Sequence, residues 1–100
     1  MKKIEAVIRP EKLKLLTEKF KKMGLKELKT AEFNSHNLEN EEVVTKIEVE
    51  FVLNYAEVDK YVEAIKNIAY TGEPGDGKIL VLDVENIIRI RTAEEGVAAL

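Results

Sequence analysis

Two stretches of this 100-residue chain carry residue types that can hold an anion. The first is Thr71-Gly72-Glu73-Pro74-Gly75-Asp76-Gly77-Lys78, where three glycines fall within six residues. Such a run frees the backbone to turn several N–H groups towards one point, and Lys78 adds a positive charge at the rim. The logic is that of a phosphate-cradling loop, although the spacing is not that of a Walker A sequence. The same glycines would equally serve a plain helix-to-strand connection that needs positive φ. The second stretch is Ile88-Arg89-Ile90-Arg91-Thr92. Arginines at i and i+2 project to one side of an extended strand, and two guanidinium forks on one side suit a polyphosphate. Alone, such a pair serves as well in surface salt bridges. Together, in a chain of net charge −3, the two stretches point to an anionic small molecule.

Residues for covalent or acid–base chemistry are scarce. There is no cysteine, which excludes a disulfide scaffold, a Cys-based zinc site and a thiol nucleophile. Serine occurs only as Ser35 and histidine only as His36, so no Ser/His/Asp constellation exists. Arg9 is the one obvious oxyanion holder, and catalysis is not expected as the biological role. His36 reads as a solvated loop residue rather than one third of a metal site built from three copies. No catalytic residue, metal ligand or resident cofactor is therefore assigned.

Composition narrows the class further. Hydrophobic residues make up 45% and charged residues 35%, which suits one folded domain over residues 1–100. Residues 1–30 hold ten basic and four acidic side chains, while residues 31–50 hold one and six. The basic part is mostly a lysine-rich helix face, read as solvated, and Glu39-Asn40-Glu41-Glu42 reads as a soluble loop. An acidic chain with 6% aromatic residues argues against nucleic-acid binding. No apolar run approaches the ~20 residues that span a bilayer. Met1-Lys2-Lys3-Ile4-Glu5 lacks a following apolar stretch, so the chain reads as mature cytoplasmic protein.

The elements that must position these residues follow from periodicity. Alternation predicts a strand over Lys3–Arg9, with Ile4, Ala6 and Ile8 on one face. Pro10 ends it, and a helix over Glu11–Met23 places Leu13, Leu16, Phe20 and Met23 together, with Gly24 beyond its end. A less regular strand runs from Leu25 to about Phe33, and Asn34–Glu42 is a polar loop. A third strand over Val43–Leu53 alternates Ile47, Val49, Phe51 and Leu53 with charged residues. Asn54 caps a second helix, which carries Val58, Val62, Ile65 and Ala69 on one face and ends at Thr71-Gly72. A fourth strand covers Lys78–Val84, Ile87–Arg91 forms a last extended segment, and the residues from Glu94 onward form a mobile tail. The order βαββαβ is the ferredoxin-like α+β arrangement, with two helices on one face of a four-stranded antiparallel sheet. The other face would carry Val7, Val52 and one apolar row of the fourth strand beside several charges. Cover by further copies of the chain is expected there.

The chain also resembles the PII signal-transduction proteins. The likeness lies in Met1-Lys2-Lys3-Ile4-Glu5-Ala6-Val7-Ile8-Arg9-Pro10, in Thr71-Gly72-x-x-Gly75-Asp76-Gly77-Lys78, which is similar to that family's B-loop, and in Ile88-Arg89-Ile90-Arg91-Thr92 with Glu94. The resemblance implies a compact homotrimer with an adenine nucleotide (ATP, ADP or AMP) in each cleft between subunits. It implies phosphate contacts from Gly75, Asp76, Gly77 and Lys78, with Arg89 and Arg91 reaching in from the neighbouring subunit. It implies an adenine slot formed by Val7, Glu50 and Val52, with Glu48 in place of Glu50 if the register slips by two. It implies regulation of a partner transporter or enzyme. The chain departs from the family between the second and third strands. Residues 34–42 form a much shorter T-loop, and its glycine-rich entry with arginine and glutamine is replaced by Glu32-Phe33-Asn34-Ser35-His36-Asn37. The glutamine that helps hold magnesium and 2-oxoglutarate, and the tyrosine modified in some members, have no counterpart. Binding of ADP or AMP comparable to ATP, without strong magnesium dependence, is expected. The readings that set nucleotide aside are a structural or metal-tolerance trimer of related shape and a weak ATPase.

Overall fold

In the computed structural model, which describes residues 1–100, four antiparallel strands form one sheet. They are β1 (Lys2–Ile8), β2 (Lys29–His36), β3 (Val43–Leu53) and β4 (Lys78–Asp83), ordered β2-β3-β1-β4. Alternation sets the two faces. Ile4, Ala6 and Ile8 of β1 and Ile47, Val49, Phe51 and Leu53 of β3 are buried, while Glu5, Val7, Glu48, Glu50 and Val52 lie half-buried on the other side. Two helices, α1 (Leu13–Met23) and α2 (Val58–Ala69), cover the apolar face. This is the ferredoxin-like arrangement expected from the residue pattern.

Local residues explain where the elements begin and end. Pro10 opens a single 3-10 turn through Lys12 that leads into α1, where its missing N–H removes no helical bond. Gly24, at φ 94°, closes α1, and the N–H of Leu25 returns to the carbonyl of Phe20 at 3.0 Å. The Asn54 side chain accepts from the Ala56 N–H at 3.3 Å and starts the 3-10 turn that precedes α2. Between the layers, Phe20, Phe51 and Tyr61 meet with ring centroids 5.0, 5.2 and 5.6 Å apart. Tyr61 keeps its hydroxyl satisfied by donating to the Met23 carbonyl at 3.3 Å.

Several expectations need correction. β2 runs from Lys29 to His36 rather than from Leu25 to Phe33. Leu25 and Leu28 pack against the core as a connector, and Asn34, Ser35 and His36 pair with Thr45, Val44 and Val43. The connection between β2 and β3 is therefore only Asn37–Glu42, not 34–42. Asn37 closes it, donating its N–H to the Glu42 carbonyl at 2.8 Å and accepting the Glu39 N–H on its side chain at 3.0 Å. This hairpin outruns β1, which stops pairing at Ile8 opposite Ile47, so the end of the hairpin projects as an arm. The radius of gyration, 14.9 Å, accordingly exceeds the about 13 Å usual for this length. α2 ends at Ala69, two residues before the expected stop.

The C-terminal segment is also different. Ile88 pairs with Glu95, and the chain then turns over Ile90–Thr92 with the Ala93 N–H on the Arg89 carbonyl at 2.8 Å. Residues 88–92 are thus a turn and not an arginine strand, because no strand of the same chain lies beside them to complete a ladder. The expected mobile tail is folded: Gly96–Ala99 form a 3-10 turn, Ala99 is buried, and the Gly96 N–H reaches the Ile87 carbonyl at 3.0 Å. The open sheet face carries charges beside its apolar row, as expected: Lys3, Glu5, Lys46, Glu48, Glu50 and Lys78 stand among Val7, Val52, Leu80 and Leu82.

Gly77 makes the tightest backbone approach among the glycines. A Cβ there would lie 1.7 Å from the carbonyl oxygen of Val7, and its φ is 105°. Gly24 also has positive φ but open space around it. Gly77→Ala should therefore lower stability by about 3 kcal/mol or more, whereas Gly24→Ala should lower it by about 1–2 kcal/mol. Urea midpoints of the two variants check this, and equal losses would contradict the close-packing argument.

Candidate functional site

The glycine loop leaves α2 at Ala69 and delivers Lys78 into β4 opposite Val7. Its organising group is the Asp76 carboxylate. One oxygen accepts the N–H groups of Thr71 and Gly72, both at 2.9 Å. The other accepts the Thr71 hydroxyl and the Arg9 guanidinium. Arg9 also donates to the Thr71 hydroxyl oxygen at 3.1 Å and to the Pro74 carbonyl at 2.9 Å. Lys46 donates from β3 to the Gly75 carbonyl. Bonds from Thr71, through its hydroxyl and N–H, and from Arg9 hold the Asp76 carboxyl far below the usual carboxylate range.

This geometry revises the part expected of Asp76. Its carboxylate oxygens are committed to the loop and to Arg9, so the side chain shapes the cradle, and only the backbone N–H of Asp76 is left to meet a phosphate. Gly77 is likewise needed for the approach to Val7, and Gly75, at φ 101°, carries the turn beside Arg9 and Lys46. Lys78 makes no ion pair, so its ammonium stands available on the open face beside Val7. Arg9 and Lys46 were not assigned to the site from the sequence. Extending the register beyond the Ile8–Ile47 pair sets them side by side, and that pairing is the signal that could have found them.

The structure brings Val7, Gly75, Asp76, Gly77 and Lys78 to one end of the sheet. Glu50 and Val52 share the open face with Val7 but lie along β3, opposite Glu5 and Lys3. Val52 is four positions along the ladder from the residue opposite Val7, about 13 Å. Glu50 is held by Lys3 at 3.1 Å and Lys29 at 3.5 Å. The hydrogen bond from Lys3 is the main reason its carboxyl lies below its ordinary value. The carboxylates of Glu5, Glu48 and Glu50 approach one another within 4.8 Å, and Lys3 bridges two of them. Beside Glu50 and Val52 lies an open cavity of about 500 Å³ that also takes in Lys3, Tyr61 and Arg89.

Arg89 and Arg91 are not near Lys78 in the same chain. Lys78 opens β4 and Asp83 ends it, and the Val84 N–H then bonds the carbonyl of Met1 at the far end of β1. Six strand residues span roughly 20 Å, so the arginine turn lies at the opposite end of the sheet. Arg89 lies 3.9 Å from the exposed Glu27, and Arg91 makes no ion pair.

A depressed carboxyl pKa stabilises the fold above the ordinary carboxylate value, 3.8, and that contribution is lost as pH falls through the lower folded value. The loop should therefore stay closed at pH 4, where free carboxylates are already partly protonated. Asp76→Ala should speed amide exchange at Thr71 and Gly72 by about tenfold or more and make it independent of pH in this range, once the intrinsic chemistry is corrected. Unchanged exchange would remove Asp76 from its organising part.

Known proteins share the fold and much of the sequence. The family described as Nitrogen regulatory protein P-II matches residues 1–94. The P-II protein of Rhizobium meliloti is 40% identical, with all of both chains covered. That of Azospirillum brasilense is 38% identical, with 96% of each covered. The crystal structure of Arabidopsis thaliana PII bound to citrate superposes with a TM-score of 0.88 at 32% identity, covering 99% of this chain and 91% of that one. With matching fold, full-length relatives and a family match over nearly every residue, the chain belongs to the nitrogen regulatory protein P-II family.

Proposed function

We propose that this chain is a regulator that binds an adenine nucleotide in clefts between the subunits of a homotrimer and passes its state to a partner transporter or enzyme. The observation that carries the reading is the closed glycine loop with Lys78 uncommitted at its rim, while the loop's own acid is neutralised from within. A polyphosphate would meet the Lys78 ammonium without repulsion from Asp76. Gly75 and Gly77 would let the backbone approach it, and Val7, Glu50 and Val52 would border the adenine. Arg89 and Arg91, at the far end of their own chain, would reach the phosphates of the next copy. The Arabidopsis relative was solved with citrate, a small polyanion, which agrees with an anionic ligand class.

Regulation rather than catalysis is the role. No nucleophile or general base stands at the loop, and the relatives carry a regulatory name. No resident cofactor is assigned, and nucleic acid is not a partner. No helix is long and apolar enough to cross a membrane, and the proposed setting is the cytoplasm. The projecting β2–β3 arm, with exposed Phe33, Leu38, Val43 and Val44, supplies a surface for the regulated partner.

Calorimetric titration with ATP, ADP and AMP tests the reading. Saturation at about one nucleotide per chain is expected, with ATP and ADP of similar affinity whether or not magnesium is present. Lys78→Ala and Arg89→Ala should each weaken binding by about 10- to 100-fold, the loss of one charge-assisted contact. Absence of binding by the folded oligomer would overturn the proposal, and a large ATP preference that requires magnesium would overturn its nucleotide selectivity.

A further inference from the structure

We propose that the outer face of α1 is a docking surface for a membrane rich in anionic lipid headgroups. This face lies away from the glycine loop, and the assignment stands independently of the function proposed above.

The cations of the chain divide by whether they have partners. Lys2, Lys3, Lys29, Lys60 and Lys66 each lie within 3.5 Å of a carboxylate of their own chain. Lys46 donates to the Gly75 carbonyl, and Arg9 pairs with Asp76. Lys78 and Arg91, which the proposed nucleotide site would use, make no ion pair. The remaining cations without one are Lys12, Lys14, Lys19, Lys21, Lys22 and Lys26, all in α1 or its flanks. The chain has 19 acidic side chains, so acid is not in short supply. Glu18 stands three and four positions before Lys21 and Lys22, a spacing that favours pairing, and it pairs with neither.

The helix itself explains only part of this segregation. Lys21 and Lys22 sit in the last turn of α1, where the dipole favours cations. Lys14 sits in the first turn, where it opposes the dipole and no acid accompanies it. Leu16 and Phe20 turn inward onto the sheet, and the helical period sends Lys14, Lys21 and Lys22 outward. Leu15 is 55% exposed among them, with Lys19 and Lys22 four and seven positions further along its own stripe. A flat anionic lipid surface answers both features. Its headgroups neutralise the free lysines, and the leucine between them enters the headgroup layer. Nucleic acid fits less well, because the one aromatic residue of α1, Phe20, is buried and offers no base a stacking partner. The open sheet face, with Val7, Glu50 and Lys78, points the other way and is left free by such a contact.

Sedimentation with lipid vesicles tests the assignment. In dilute salt the protein should pellet with phosphatidylcholine vesicles that contain about 30% phosphatidylserine, and not with phosphatidylcholine alone. Added salt should release it. A chain of net charge −3 with evenly spread charges would be repelled by the anionic vesicles, so binding itself reports the segregation. Lys19→Gln combined with Lys22→Gln should weaken binding by about 30-fold, near fivefold for each charge removed. Leu15→Ser should weaken it by about fivefold. Lys60→Gln, at a lysine already paired on α2, should bind as the parent does. All four positions are exposed, and far-UV circular dichroism checks that the helices are kept. ATP titration of the double variant should match that of the parent, which separates a failure here from a failure of the nucleotide reading. Equal binding to neutral vesicles, unchanged binding by the double variant, or capture of duplex DNA in preference to anionic vesicles would overturn the assignment.

Discussion

The Asp76 carboxylate is the constraint on which the rest of the site depends. Arg9 and Lys46 are brought side by side by the antiparallel pairing of β1 and β3, and neighbouring like charges on adjacent strands are unfavourable. The loop resolves the conflict by presenting Asp76, the Pro74 carbonyl and the Gly75 carbonyl to those two cations. In return, the same carboxylate gathers Thr71 and Gly72, and so folds the loop back on itself. The turn then has only one way into β4, with Gly77 pressed on the Val7 carbonyl and Lys78 in register with Val7. An acid beside Lys78 would ordinarily pair with it. Here the commitment of Asp76 to Arg9 and to its own loop leaves that cation unpaired.

A second constraint lies in the arm. The chain has no long loop between β2 and β3. It has two strands paired down to His36 and Val43, and a tip braced by the Asn37 and Asn40 side chains. An arm already ordered loses less conformational entropy on docking than a long flexible loop would. Under the proposed function it would also have fewer shapes with which to report a bound ligand, and a signal passed through it would travel as a rigid displacement of β3, the strand that carries Glu50, Val52 and Lys46.

The parts of the fold legible in the sequence were those with one wet and one dry face. β1 and β3 alternate strictly because helices cover one side, and α1 repeats Leu13, Leu16, Phe20 and Met23 for the same reason. β2 was misplaced because almost every residue of it is exposed, so burial imposes no period, and Asn34, Ser35 and His36 carry turn-like residue types into a strand. The arginine segment misled in the opposite direction. Ile88-Arg89-Ile90-Arg91 has a strand's period, but a period cannot supply a strand to pair with, and within one chain only the isolated bridge from Ile88 to Glu95 exists. The loop at Gly75–Lys78 was legible as a possible anion cradle. The commitment of Asp76 to the cradle itself was not, since residue type does not distinguish a group that binds a ligand from one that shapes the place where it binds. Arg9 stood out by its type alone, but its place at the loop, and Lys46 altogether, became visible only once register placed the two together.

β4 links the two halves of this argument. It is an edge strand, and edge strands in stable monomers are usually blunted by charge, proline or cover. β4 has Leu80, Val81 and Leu82 in succession, all exposed, with Lys78 at its start and the arginine turn beyond its end. Its length fixes the distance between Lys78 and the arginines, and no rotamer of either closes roughly 20 Å. A chain that kept both sets of cations for its own use would need β4 to fold back on itself. A chain that shares them needs only a second copy, laid so that the apolar edge is covered at the same time. Under the proposed function one association would answer both the unfinished edge and the divided cation set, and assembly would then be part of the binding site instead of a separate property of the surface.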